Sequence, residues 1–316
     1  MIEEDAVHLR GVFVPLLSPL GTQGAVDVGP LPEHIERLFA AGIDGVVPLG
    51  TTGEFADLTP RERHRVVEAA VDGAAGRMPG VAGVGATGTA EACEHARVAA
   101  AAGADAVLAL PPLYWKLGDG GVLRHYESVC AATDLPVVLY DYPALSGTPL
   151  QPALVERIAG ALGQVVGIKI SRAELRVVHE VVARMRPLRD DFAVMVGSAE
   201  LVLPGLLAGI DGTIAAIANV DPGTVTRLVA AYRDGDLAAA REAHTRVLRL
   251  LAIPALSAPP ILALKVAAAV FGSPYEPVVR TAPDDPDAVV ARAHALATEL
   301  HAVTAAGAAP SAPGAR

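Results

Sequence analysis

Cysteine, aromatic residues, positive charge and long apolar runs are all scarce in this sequence, and each scarcity removes a class of protein. The two cysteines, Cys93 and Cys130, form no metal-spaced cluster and are too few for a disulfide framework. That suits a reducing cytoplasm, the expected location. Lysine and arginine number 25 against 35 aspartates and glutamates, a formal charge of −10. A nucleic-acid partner would want a basic face instead. The apolar run closest to a bilayer span, VLRLLAIPALSAPPILALKVAAAVFG, is interrupted by Arg249, three prolines and Lys265, so no membrane partner is expected. The opening MIEEDAVHLRGVFVP is acidic and lacks the basic-then-apolar order of a signal peptide. The expected partners are small molecules or other copies of the chain.

What remains is ample material for a core: 316 residues, 52% hydrophobic and only 19% charged. Short apolar runs at 11–17, 42–50, 80–86, 104–112, 135–143, 165–171, 192–198 and 212–219 alternate with amphipathic helical stretches. One of these, TPRERHRVVEAAVDGAAG, opens with Thr59 as N-cap, Pro60 at the first helical position and Glu62 completing a capping box. Near-continuous apolar strands alternating with helices imply a covered parallel sheet, and eight of them suggest an α/β fold, a (β/α)8 TIM barrel. A doubly wound open sheet competes, but no G-x-G-x-x-G opens the first helix. Residues 1–220 are expected to form the barrel, 221–302 a C-terminal helical subdomain, and 303–316 a disordered, low-complexity tail.

A barrel gathers its chemistry at the carboxyl ends of the strands. There the sequence places Thr51 and Thr52 in GTTGEF, Tyr114 and Trp115 in PPLYWK, Tyr140 in VVLYDYP, Lys169 in VVGIKIS, and Gly197, Ser198 and Glu200 in GSAE. Each has an ordinary explanation: a glycine turn before a helix, a packed tyrosine, an edge-strand lysine facing water. Convergence on one barrel mouth favours a site. Period-2 alternation sets Lys169 on one face with Val165, Gly167 and Ser171; if that face is inside, the lysine points into the barrel and Gly167 leaves room beside it. A lysine there can be kept neutral and act as a nucleophile. His64, His95, His125 and His179 lack metal-ligand spacing and read mostly as helix-surface residues, and no metal is assigned. Ser171 and Ser198 have no histidine in a triad context.

GTTGE, the tyrosine of YDYP and the lysine of GIKIS, in this order and spacing, resemble the dihydrodipicolinate synthase and N-acetylneuraminate lyase superfamily of class I aldolases. The similarity runs from GVFVPLLSPL to RTAP. The resemblance implies a pyruvate-type 2-oxo acid held as an imine on Lys169, with no separate cofactor and an aldehyde as the second small molecule. It implies Tyr140 as proton shuttle and Thr51 and Thr52 as carboxylate holders, Thr52 also serving the relay. Tyr114 matches a tyrosine that enters the neighbouring subunit's site in a homotetramer built as a dimer of dimers. Substrate contacts are expected from Thr51, Thr52, Leu145, Ser171, Gly197, Ser198, Glu200 and Ile214.

The departures bear on substrate. Synthases of the family carry an arginine shortly after Y-x-x-P to bind a carboxylate; Leu145 stands there, and an apolar side chain cannot replace a guanidinium. PALSG resembles the N-acetylneuraminate lyase branch, but Ala199 and Ala216 replace polar residues expected there. A 4-hydroxy-2-oxo acid of the 2-keto-3-deoxy sugar acid type, with Ser198 and Glu200 as hydroxyl contacts, fits better than sialic acid. The alternatives are 4-hydroxy-tetrahydrodipicolinate synthase, a keto-deoxy acid dehydratase, or a non-catalytic 2-oxo acid sensor.

Overall fold

The computed structural model describes residues 8–307. Eight strands occur where the apolar runs lie: β1 (Gly11–Pro15), β2 (Gly45–Val47), β3 (Val81–Gly83), β4 (Ala106–Ala109), β5 (Val137–Asp141), β6 (Val165–Ile170), β7 (Ala193–Val196) and β8 (Gly212–Ile214). All are parallel and ordered β2-β1-β8-β7-β6-β5-β4-β3. The two ends of this ladder meet through Val46 N donating to the Pro79 carbonyl at 3.0 Å and Gly83 N to the Pro48 carbonyl at 2.9 Å. The sheet therefore curls into a (β/α)8 barrel, which excludes the open doubly wound sheet. Gly212 lets β8 lie against β1, because a Cβ there would sit 2.0 Å from the Gly11 carbonyl oxygen.

The strands are shorter than the apolar runs that announce them. The run at 212–219 is strand only to Ile214, then turns tightly through Ala216–Asn219. Asn219 holds that turn. Its amide donates to the carbonyls of Pro15 (2.8 Å) and Ala216 (3.0 Å), and its Oδ1 lies 3.2 Å from His34 Nε2. The other ring nitrogen of His34 meets Ser273 Oγ at 3.0 Å. Burial lowers the His34 pKa to about 3, so the ring is a neutral spacer between barrel and C-terminal region.

The helix Pro60–Ala74 begins with the expected capping box: Thr59 N donates to Glu62 Oε2 at 2.9 Å and Glu62 N to Thr59 Oγ1 at 3.4 Å. Its Val66, Val67, Ala70 and Ala74 face the barrel core. Packing is continuous across residue 220. Asp221 caps the helix Pro222–Arg233, which covers β1, and Leu237–Leu250 packs back upon it. Ile261–Val270 and the last helix, Pro286–Gly307, pack together. That last helix runs past 302 into the alanine-rich stretch read as tail, as alanine propensity favours; residues 308–316 of the expected tail lie outside the described residues. Among the described residues, no helix is long and apolar enough to cross a membrane.

Two of the histidines read as surface residues are buried. His125 bridges Thr89 Oγ1 and the Leu110 carbonyl, each at 3.0 Å, and burial lowers its pKa to about 4. His95 is buried on Thr89–Ala101 near Glu91. His95 sits on an alanine-rich helix face with Ala92, Ala96 and Ala99, where the period-3.6 pattern is faint because alanine marks neither inside nor outside, whereas His125 shares the buried face of Asp119–Ala132 with Val122, Tyr126 and Val129.

Candidate active site

β5 and β6 run in register so that Tyr140 is level with Lys169, and Met195 of β7 stands on the other side. Both site residues therefore emerge at one height of the barrel. Lys169 is 3% exposed, and its Nζ lies 4.4 Å from the centre of the Tyr140 ring. Among the described residues no carboxylate or hydrogen-bond acceptor pairs with that nitrogen. Burial alone lowers its pKa to about 7, so much of the population carries a neutral amine near neutral pH.

Tyr140 is buried and its hydroxyl lies 3.2 Å from Thr51 Oγ1. Burial raises its pKa, while bonding to the hydroxyls of Thr51 and Ser171 opposes that. The phenol stays protonated at neutral pH and can both donate and accept. Beneath it, Asp141 anchors the strand end: its Oδ1 accepts from Leu150 N at 2.9 Å and its Oδ2 lies 2.8 Å from Arg172 Nε. Thr51 and Thr52 lie in a tight turn, Thr51–Gly53, directly after β2. Ser18 Oγ donates to the Gly53 carbonyl at 2.6 Å and pins this turn to the strand beside it.

These groups line a cavity of about 170 Å³ together with Ser171, Gly197, Ser198 and Ile214. Its size suits a molecule much smaller than a drug-sized ligand. The opposite wall is apolar, from Ala216, Pro254, Pro260, Ile261 and Leu264, and Tyr142 completes it. A larger cleft of about 440 Å³ opens at the amino end of the barrel beside Leu9, Asp190 and Asp211. It contains none of the residues that surround Lys169, so chemistry rather than volume selects the smaller cavity.

Eight predicted site residues thus meet: Thr51, Thr52, Tyr140, Lys169, Ser171, Gly197, Ser198 and Ile214. Three others do not line the cavity. Leu145 is half exposed on the short helical turn Pro143–Ser146. Glu200 lies in the tight turn Ala199–Leu201, near enough to His244 of Leu237–Leu250 for its charge to act on that ring, and does not line the cavity. Tyr114 is 74% exposed, edge-on to Trp115 at 5.0 Å, and does not reach the cavity of its own chain.

The glycine beside the lysine also differs from expectation. A Cβ at Gly167 would meet the Ala193 carbonyl at 2.8 Å and Leu9, toward the amino end of the barrel. A Cβ at Gly197 would stand 2.9 Å from Lys169 Cε and 2.0 Å from Ser171 Oγ. Gly197, across on β7's carboxyl end, makes the room. Sequence reasoning missed Tyr142, Pro254, Pro260, Ile261 and Leu264; the proline cluster SAPP before Ile261 was a signal for a chain bend toward the site.

The family model for the dihydrodipicolinate synthetase family matches residues 8–288. The chain belongs to the dihydrodipicolinate synthetase family. A 4-hydroxy-tetrahydrodipicolinate synthase from Methanothrix thermoacetophila is 37% identical over 252 residues, 80% of this chain and 84% of that protein. An Escherichia coli K12 protein named "Probable 2-dehydro-3-deoxy-D-pentonate aldolase YjhH" is 34% identical over 266 residues, 84% of this chain and 88% of its own length. Among solved structures, the family member YagE from E. coli K12, in complex with pyruvate, superposes with a TM-score of 0.89 at 31% identity, covering 93% of this chain and 99% of that one. Family relatives are named as synthases and aldolases, and this chain is a lyase. Both the synthase and the sugar-acid aldolase names occur at comparable identity, so the family does not select the substrate.

Proposed function

We propose that the chain is a class I aldolase that reversibly cleaves a 4-hydroxy-2-oxo acid of the 2-keto-3-deoxy sugar acid type to pyruvate and an aldehyde. The observation that carries this reading is Lys169, buried without a counter-ion beside a protonated Tyr140. In the condensing direction the neutral Nζ attacks the ketone carbon of pyruvate, and Tyr140 can pass protons to the departing oxygen, which leaves as water. The iminium so formed draws electrons from the adjacent methyl. Loss of one methyl proton gives the enamine, whose carbon bonds to the aldehyde carbon while the aldehyde oxygen takes up a proton. Water then releases the product and restores the amine. Cleavage is the same sequence reversed, and the imine on Lys169 does the work of a cofactor. The pyruvate carboxylate fits the Thr51–Thr52 turn, whose leading N–H groups have no partner within it.

Lys169 is the only cationic side chain lining the cavity among the described residues, and Leu145 offers none at the mouth. An acceptor bearing its own carboxylate, as a synthase requires, therefore finds no guanidinium to bind. A neutral hydroxyaldehyde with Ser198 as its hydroxyl partner fits better, in line with the name of the YjhH relative. We further propose a homotetramer, a dimer of dimers, in which exposed Tyr114 enters the neighbouring site.

Borohydride reduction in the presence of pyruvate tests the chemistry. A reduced adduct on the peptide containing Lys169, absent from Lys169→Ala, is expected. Tyr140→Phe should still form the adduct but lose about 10²–10³-fold in turnover with aldehyde. An adduct with water elimination from sugar acids but no aldehyde would mark a dehydratase. Pyruvate binding with no adduct in folded protein would mark a sensor and overturn the proposal.

A further inference from the structure

The second fully buried lysine, Lys265, lies outside this chemistry. Its Nζ donates to Glu54 Oε1 at 2.5 Å and to the Val278 carbonyl at 2.6 Å. Glu54 is the residue that ends the Thr51–Gly53 turn: its N–H donates to the Thr51 carbonyl at 3.1 Å, and its backbone is left-handed at φ +53°. A residue with a side chain holds that conformation only where its surroundings impose it. Here the surroundings are the helix Ile261–Val270, whose Ile261 and Leu264 form the far wall of the cavity. The following segment reinforces the tie. Arg280 N donates to Glu54 Oε2 at 3.4 Å, its guanidinium reaches the Asp57 carbonyl at 2.6 Å and pairs with Glu62, and Thr281 Oγ1 donates to Asp57 Oδ2 at 2.8 Å. A buried pair of this kind is a poor source of net stability compared with apolar packing, whereas it fixes two elements at one separation.

We infer that Glu54 and Lys265 are positioning residues for 2-oxo acid binding: their ion pair holds the Thr51–Thr52 turn against the C-terminal helix and so sets both walls of the cavity. This inference rests on the aldolase reading above. The pair touches no substrate. It acts through Thr51, whose hydroxyl meets Tyr140, and through the N–H groups of the turn. A chain without the Ile261–Val270 helix would keep Lys169 but lack the grip on the turn that receives the carboxylate.

The test titrates pyruvate in the borohydride reaction, scoring the adduct by intact mass, in the full-length protein and in Lys265→Met. The expected result is a rise of about tenfold in the pyruvate needed for half-maximal adduct, with the pH midpoint of adduct formation unchanged, because the burial of Lys169 is not altered. Thr51→Ala should then cost less in the Lys265→Met background than in the parent, since both act on one turn. General loosening of the barrel would instead wet Lys169 and move the midpoint upward. That shift, an unchanged half-saturation in folded Lys265→Met, or simple additivity with Thr51→Ala would each overturn the inference. Should Lys265→Met not fold, Glu54→Gln, which keeps the shape and an acceptor, is expected to raise half-saturation about threefold, and no rise there overturns it equally. Absence of any adduct in the unsubstituted chain is a separate result: it removes the aldolase reading, and the inference with it.

Discussion

Lys169 and Lys265 are equally hidden from water, yet their surroundings set opposite tasks. Around Lys265, the Glu54 carboxylate opposes the effect of burial; around Lys169 only burial acts. The consequence for stability has a definite sign. The folded pKa of Lys169, about 7, lies below its ordinary 10.5, so between those values the unfolded chain binds a proton that the folded chain does not. Stability contributed by this group therefore rises with pH from about 7 to 10.5 and is flat below about 7. Lys169→Met, similar in length and never charged, is expected to be more stable than the parent by about 4 kcal/mol at pH 7, with the gap closing toward pH 10. Urea unfolding of both proteins at the two pH values measures this; a gap that stays constant with pH would mean that Lys169 is not held neutral by burial.

At the scale of the element, the sheet was legible because a parallel barrel strand is buried on both faces and so reads as an apolar run. The capping box of Pro60–Ala74 was legible for the same kind of local reason. Strand lengths were not, since apolar residues continue into the turns that follow β2 and β8. The choice between Gly167 and Gly197 was beyond period-2 reasoning, which tells which face a residue occupies but not which neighbour across the barrel it meets. Cross-strand contact depends on stagger, and stagger comes from closure. The carboxyl end of β7 is consequently a sensitive place. Gly197→Ala would drive a methyl into Ser171 Oγ and Lys169 Cε. The expected cost is about 1–3 kcal/mol of stability, with at least a tenfold loss of pyruvate adduct, whereas Gly167→Ala should harm folding without selectively lowering adduct formation per folded molecule. Thermal melts paired with adduct yield on the soluble fraction separate the two; equal adduct yields would remove Gly197 from the site.

At the scale of the whole molecule, the barrel supplies Lys169, Tyr140 and the Thr51–Thr52 turn and the C-terminal region supplies the far wall of the cavity, so the candidate site joins residues more than 200 positions apart in sequence, as in the Glu54–Lys265 pair with a separation of 211. Such pairings leave no local pattern, which is why the sequence pointed to Lys169, Tyr140 and the Thr51–Thr52 turn but not to Ile261 or Leu264. One surface feature extends the same logic beyond a single chain. Tyr114 and Trp115 are 74% and 70% exposed, an arrangement that leaves large apolar area in water at the barrel mouth. In the proposed assembly that area is covered. Trp115 is the single tryptophan of the chain, so its fluorescence reports on this place alone. Emission is expected to move toward the blue as concentration rises and the mass measured by light scattering approaches four chains. In Tyr114→Ala, emission should stay that of a water-exposed indole at concentrations where the parent has assembled. Water-exposed emission from a parent of monomer mass at every concentration would rule out the shared site, and Tyr114 would then have no part in the reaction.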